Sequence, residues 1–266
     1  MQGVPLDKCH VTGLGVESQE YTFVRQMIGD EQADELFLHL DNITKIPGRI
    51  LVGNDPQRGL WHVLDIFDEV KARVPHATLH ITYDVLKVFD TLRWQAHAMS
   101  QLLLDCERRI NADPAITLLG NVSRAELIRE QLECQVHVWP SDPPNIGSQI
   151  HGGIMGMECA AAGAAIVVSD VEAMPETFGG VATILPVPGT YIPSAERRLT
   201  AEDWAEAVVE LMLDPDKWAG ASRKARALAE QNTWPRVIER WEKMFETLAE
   251  GYAKKVREAS ELAAVH

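Results

Sequence analysis

The sequence contains no run approaching the ~20 consecutive apolar residues that a membrane span needs, and no apolar core follows its opening Met1-Gln-Gly-Val-Pro-Leu-Asp-Lys8. The expectation is a cytoplasmic chain without a transmembrane segment. Its four cysteines, Cys9, Cys106, Cys134 and Cys159, form no C-x-x-C pair and are too widely spaced for a metal knuckle or a dense disulfide framework. They are expected as free, mostly buried thiols in a reducing compartment. The nine histidines are dispersed without ligand spacing, so no metal site is expected. His137, in an apolar run, is expected to be structural. His151, beside Gly152-Gly153, is the histidine with a functional position.

A surplus of positive charge is also missing. Acids outnumber bases 39 to 25, for a formal charge of −14, and no basic cluster offsets that field locally. Such a chain repels a phosphate backbone, which argues against a nucleic-acid groove. A polyanionic ligand would have to be gripped by a few placed donors. There is no catalytic triad and no P-loop. Nor is there the G-x-G-x-x-G turn of a nicotinamide-dependent dehydrogenase, because Gly53 is followed by Asn54-Asp55-Pro56.

What is present is an ordinary globular composition, 46% apolar and 24% charged over 266 residues, enough to bury a core. Residues 1–48 are irregular: a turn into a short strand near Val11, a loop over 12–16, and helical periodicity from Glu20 to Leu40. From residue 49 short β-branched runs alternate with amphipathic stretches. Strands are predicted at 49–53, 77–82, 116–119, 135–139, 164–168 and 182–185. Helices are predicted from about 60, over 86–109 as one long kinked element, from Arg124 behind a Ser123-x-x-Glu126 capping box, and over 154–162. Three more close the chain, at about 200–213, 215–231 and 234–262. Continuous apolar strands rather than period-two alternation indicate a parallel sheet covered on both faces, a doubly wound α/β domain. Ligands bind such sheets outside the carboxyl ends of the strands.

Three loops at those ends carry suggestive chemistry. In Gly53-Asn54-Asp55-Pro56-Gln57-Arg58-Gly59, a guanidinium beside a helix start suits a phosphate, although a solvated arginine in a turn explains it too. Gly152-Gly153 precede a helix of small residues containing Glu158. Paired glycines admit a diphosphate to the backbone, and a lone carboxylate can accept two hydrogen bonds from a ribose diol; close helix–sheet packing with an exposed glutamate is the alternative. The acids of Ser169-Asp170-Val171-Glu172, running on to Met174-Pro175-Glu176, could orient sugar hydroxyls or simply cap a helix.

In order and spacing these segments resemble the carboxyl-terminal domain of family 4 glycosyltransferases. The resemblance runs over residues 49–186, through Ile50-Leu-Val-Gly-Asn-Asp-Pro-Gln-Arg-Gly59, Leu118-Leu-Gly-Asn-Val-Ser123, Val138-Trp-Pro-Ser141, Gly153-Ile-Met-Gly-Met-Glu158 and Met174-Pro-Glu176. Residues 4–16 are similar to the family's interdomain segment, and Thr233-Trp234 with the following helix to its closing helix. The resemblance implies one Rossmann-like, donor-binding half of a GT-B fold over 49–232, with 1–48 a remnant of the interdomain segment plus a helix and 233–266 a C-terminal helix. It implies a nucleoside-diphosphate sugar as donor, no cofactor and no essential metal. Arg58, with Gly59 and Asn54, would meet the diphosphate, Gly120, Asn121 and Val122 would edge the base, Gly152 and Gly153 would lie near diphosphate and sugar, and Glu158 would hold the ribose. Ile150 stands where the family's motif has its first acid, and a family arginine after the first strand is replaced near Asn54-Asp55. The acceptor-binding domain is not in this chain, so the expected partner is an acceptor-domain protein or a second copy. A non-catalytic nucleotide-sugar-binding or assembly module is the competing expectation.

Overall fold

The structure, a computed structural model, describes residues 15–17, 44–53, 55–92, 98–141 and 153–264. Six parallel strands form the central sheet: β1 (Arg49–Val52), β2 (Thr78–Ile81), β3 (Ile116–Leu118), β4 (Val136–Trp139), β5 (Ala165–Ser169) and β6 (Thr183–Leu185). Their order is β3-β2-β1-β4-β5-β6. The helices are α1 (Leu60–Arg73), α2 (Val85–Leu92), α3 (Ala98–Ala112), α4 (Arg124–Glu133), α5 (Ile154–Ala161), α6 (Met174–Phe178), α7 (Ala201–Leu213), α8 (Pro215–Gln231) and α9 (Trp234–Ala264). A two-stranded arm, β7 (Tyr191–Ile192) with β8 (Arg197–Arg198), precedes α7.

The doubly wound architecture follows from the strands' composition. Successive side chains point to opposite faces, and here both faces are apolar. Ile50, Val52, Leu79, Ile81, Val136, Val138 and Val167 enter one core with Phe67 of α1, Phe89 of α2, Leu103 of α3 and Trp204 of α7. Leu51, Trp139, Ile166 and Val168 enter the other with Met157 and Ala160 of α5, Phe178 of α6 and Ala225 of α8. A sheet apolar on one face only would have needed water on the other.

Local signals account for the element boundaries. The capping box at Ser123 is formed: its hydroxyl accepts from the Glu126 amide and the Glu126 carboxylate accepts from the Ser123 amide. A second box, Thr200 with Asp203, starts α7. The stretch predicted as one kinked helix over 86–109 is two helices, with 93–97 outside the described residues. Cys106, Cys134 and Cys159 are free and buried, as expected, and Cys9 lies outside the described residues. So do the turn and strand expected within residues 4–11 and the helix expected within 20–40. Val16 is described, and it forms a parallel bridge with Thr233, its amide donating to the Asn232 carbonyl at 2.8 Å. No described helix is long and apolar enough to cross a membrane.

His137 is fully buried in β4, and its Nδ1 meets the Leu51 carbonyl at 2.9 Å. Its Nε2 has no hydrogen-bond partner, so the ring is neutral in the fold. Burial pushes its pKa from the ordinary 6.5 down to about 4, the backbone bond opposing. The unfolded chain therefore takes up a proton near pH 6.5 that the fold refuses. The stability involved is complete above that pH and is lost as the pH falls toward 4. Urea unfolding at pH 7 and pH 4.5 should show wild type losing about 2 kcal/mol more than His137→Phe over that interval. Equal losses in the two proteins would show that His137 does not carry the effect.

Candidate functional site

Strand order reverses between β1 and β4. The chain leaves their carboxyl ends in opposite directions, which opens a crevice there. Two loops with unusual backbones border it. Behind β1, Asp55 caps a short 3-10 turn, Pro56–Arg58, by accepting from the Gln57 amide at 2.9 Å, and Gly59 follows at φ 111°. Behind β4, α5 begins after Gly153 at φ 63°. Positive φ values of this kind are strained for residues with side chains. The two loops also touch: a Cβ on Gly53 would lie 2.8 Å from Met155 Cε and 2.7 Å from Thr82 Oγ1. Gly53 thus lets the end of β1 approach the first turn of α5.

Arg58 sits at the end of that turn and is half-buried. Its positive charge acts on the hydroxyl of Tyr83, behind β2. Burial raises the Tyr83 pKa and the Asp55 and Asp84 carboxylates raise it further, while the Arg58 guanidinium lowers it. Asp84 in turn accepts from the Lys87 amide at 3.1 Å and meets Asn121 Nδ2, behind β3, at 3.4 Å. The loops after β1, β2 and β3 therefore form one polar rim.

Glu158 lies in α5 and is not the exposed side chain that simple packing would leave. Only 15% of it is accessible; Oε1 pairs with the Arg124 guanidinium at 2.8 Å and Oε2 accepts from Gln131 Nε2 at 2.9 Å. Arg124 and Gln131 are seven residues apart, two turns along one face of α4. Gln131 Nε2 also reaches Met155 Sδ at 3.3 Å, and the Gln131 carbonyl accepts from Lys45 Nζ at 3.1 Å. Burial lowers the Lys45 pKa to about 8, against an opposing effect of Cys134 and Cys159.

Of the residues singled out from sequence, Arg58, Gly59, Gly120, Asn121, Val122, Gly153 and Glu158 all lie behind the carboxyl ends of β1, β3 and β4. Gly53 and Met155 connect the Arg58 loop to the helix of Glu158. Asn54, Ile150, His151 and Gly152 are outside the described residues. Glu172, in the third suggestive loop, adopts φ 49° just before α6. Sequence reasoning missed Tyr83, Asp84, Arg124 and Gln131. A polar pair two turns apart, facing a helix of Gly and Ala, was the available signal for the last two. Among the described residues no group of three or more His, Cys, Asp or Glu could hold a metal.

No family model matches the chain, and no curated protein matches its sequence. Solved structures do match in fold. A glycosyltransferase from Rickettsia africae ESF-5 is 15% identical with a TM-score of 0.59, over 92% of this chain and 59% of that one. The UDP-forming α,α-trehalose-phosphate synthase of Burkholderia vietnamiensis is 14% identical with a TM-score of 0.58, over 90% and 52%. HepE of Anabaena, in complex with UDP and glucose, is 14% identical with a TM-score of 0.56, over 89% and 55%. The chain thus has the fold of one Rossmann-like half of a GT-B glycosyltransferase. It spans little more than half the length of these three structures.

Because the Arg58 guanidinium opposes Asp55 and Asp84 at the phenol, Arg58→Ala removes that opposition. Tyrosinate absorbance, with Tyr83→Phe identifying the signal, should then show Tyr83 ionising at higher pH than in wild type. An unchanged or lower titration would separate the two side chains.

Proposed function

We propose that this chain is the donor-binding half of a glycosyltransferase similar to family 4, taking a nucleoside-diphosphate sugar without a metal or cofactor. The observation that supports the reading is that three kinds of group follow β1 and β4, the two strands at the reversal, whose loops approach each other at Gly53 and Met155. The groups are the Arg58 guanidinium, the amide-bearing start of α5 after Gly153, and the Glu158 carboxylate held at both oxygens. Guanidinium and helix-end amides suit a diphosphate, and the carboxylate suits a ribose diol. Gly120, Asn121 and Val122 would edge the base. The solved neighbours include the pneumococcal O-GlcNAc transferase GtfA in complex with UDP and GlcNAc.

In the reaction, an acceptor hydroxyl attacks the anomeric carbon, the bond to the diphosphate breaks, and the hydroxyl proton passes to a base on the acceptor side. Arg58 and the start of α5 stabilise the charge on the departing diphosphate. The acceptor side would be supplied by another domain or protein. Ile150, where the motif's first acid belongs, favours the second reading, a binding module without turnover; unchanged glycosyl transfer by the parent assembly carrying Arg58→Ala would support that reading.

Calorimetry of the chain with UDP and GDP should show binding of at least one, unaffected by EDTA and weakened about tenfold by Arg58→Ala or Glu158→Ala, the loss of one charge-assisted contact. Absence of heat with either nucleotide would overturn the proposal.

A partner surface is also proposed. Helix α9 leaves Ile238, Phe245, Leu248, Tyr252 and Val256 exposed along its length, a larger apolar stripe than a surface helix normally shows to water. Solution scattering should give a mass above the monomer for the chain alone, or for the chain mixed with its acceptor protein. A monomeric mass at every concentration in both samples would contradict this.

A further inference from the structure

We propose that Gln131 is a positioning residue for the nucleotide: its buried amide fixes the plane in which Glu158 presents its carboxylate. The inference rests on the donor-binding reading above and adds to it a residue that does not touch the ligand.

Gln131 is fully buried on α4. A buried amide is tolerated only where its hydrogen bonds are met. This one is committed to α5, at 2.9 Å from Glu158 Oε2 and 3.3 Å from Met155 Sδ. The backbone of the same residue is anchored from the opposite side by Lys45 Nζ on its carbonyl. Gln131 is therefore held at side chain and main chain, between α5 and the segment leading into β1. A glutamate near a surface has many rotamers, and ordering it costs free energy whenever a ligand needs one of them. Glu158 has that cost met in advance.

Two groups hold the carboxylate, and their exposure ranks them. The Arg124 side chain is 42% accessible, so its pair with Oε1 is screened and worth little. Gln131 is fully buried and its bond reaches a carboxylate that is only 15% accessible, so solvent competes with it less than with the Arg124 pair. Gln131 therefore sets the orientation, and Arg124 adds a replaceable contact from the rim. A diol donating to both oxygens finds them already spaced and aimed.

The neighbouring charged and titratable groups leave this assignment clear. Arg124 faces Glu158 from α4. Lys45 lies beneath, near Cys134, Cys159 and Arg226. Glu130 is turned away, at 2.7 Å from His80 and paired with Arg49.

The test is calorimetry of the full chain with whichever of UDP or GDP it binds, from pH 5.5 to 8.5, alongside thermal melts. Gln131→Met keeps volume but donates nothing. It should bind about tenfold more weakly at every pH, the effect of one buried hydrogen bond, and it carries the test alone if an acidic variant does not fold. Gln131→Glu places a carboxyl against Glu158. At pH 5.5 a shared proton restores the donor and binding is near wild type. As the pH rises the proton leaves and affinity falls at least tenfold relative to wild type. Arg124→Ala should change affinity less than threefold. Wild-type affinity in Gln131→Met, no pH dependence in a folded Gln131→Glu, or a larger loss from Arg124→Ala would each overturn this inference and leave the donor-binding reading standing. A wild-type chain that binds neither nucleotide overturns both.

Discussion

The parallel sheet can bury both faces only because its connections reverse at one place, between β1 and β4, and the loops of the candidate site depend on that reversal. Elsewhere each crossover packs beside its neighbour and closes the strand ends. At the reversal the crossovers diverge, so the backbone leaving β1 and β4 faces an opening rather than another helix. The register of β1 with β4, Ile50 to Val136 and Leu51 to His137, sets the separation of the two loops. His137 belongs to this constraint: its ring is tied to the neighbouring strand through the Leu51 carbonyl, with no polar partner on its other nitrogen. An imidazole that charges readily would pull that pair of strands toward water.

The second dependence is the contact between α4 and α5. Helix α5 is built of small residues, Gly156, Ala160 and Ala161 among them, and lies close to its neighbours. Phe178 Cζ lies 2.9 Å from where a Cβ on Gly156 would be. Such a helix has little room for a charged side chain on its inner face. Glu158 is accommodated because α4 presents an amide and a guanidinium to it, two turns apart. The capping box at Ser123 fixes where α4 starts, and so where both Arg124 and Gln131 fall. A local signal at a helix terminus thereby places a carboxylate on a different helix.

Much of this was legible from sequence because burial on both faces writes a continuous apolar pattern. Each of the six predicted strands lies within a residue or two of its described bounds, and the Ser-x-x-Glu signal placed the start of α4. The division of residues 86–109 into α2 and α3 was not legible, because amphipathic periodicity continues through both pieces and no proline or glycine separates them. Arm β7–β8 was missed since two-residue strands carry no period. For the site, loop position behind a strand pointed to Arg58 and Glu158, whereas Gln131 was hidden. A glutamine in a helix reads as a solvated residue until the opposing helix is known. Burial of polar groups is decided by tertiary contact, and a single sequence records only the pattern of apolar ones.

The chain's charge explains why pre-arrangement matters here. At −14 overall, the protein offers a polyanion no attractive long-range field, and at Tyr83 the Asp55 and Asp84 carboxylates act against the Arg58 guanidinium. Those carboxylates lessen what one guanidinium can contribute through charge alone. What remains is directional: amides at a helix start, a guanidinium whose turn is fixed by a capping aspartate, and a carboxylate held at both oxygens. Bonds of this kind keep their worth in salt better than a diffuse field does. On the proposed reading they would also discriminate, since a free phosphate can meet the cationic groups but lacks the paired hydroxyls of a ribose diol that would span both oxygens of Glu158. If the proposed donor binding holds, an acidic surface around few, immobilised donors favours a ligand that carries phosphate and diol together over a simple anion.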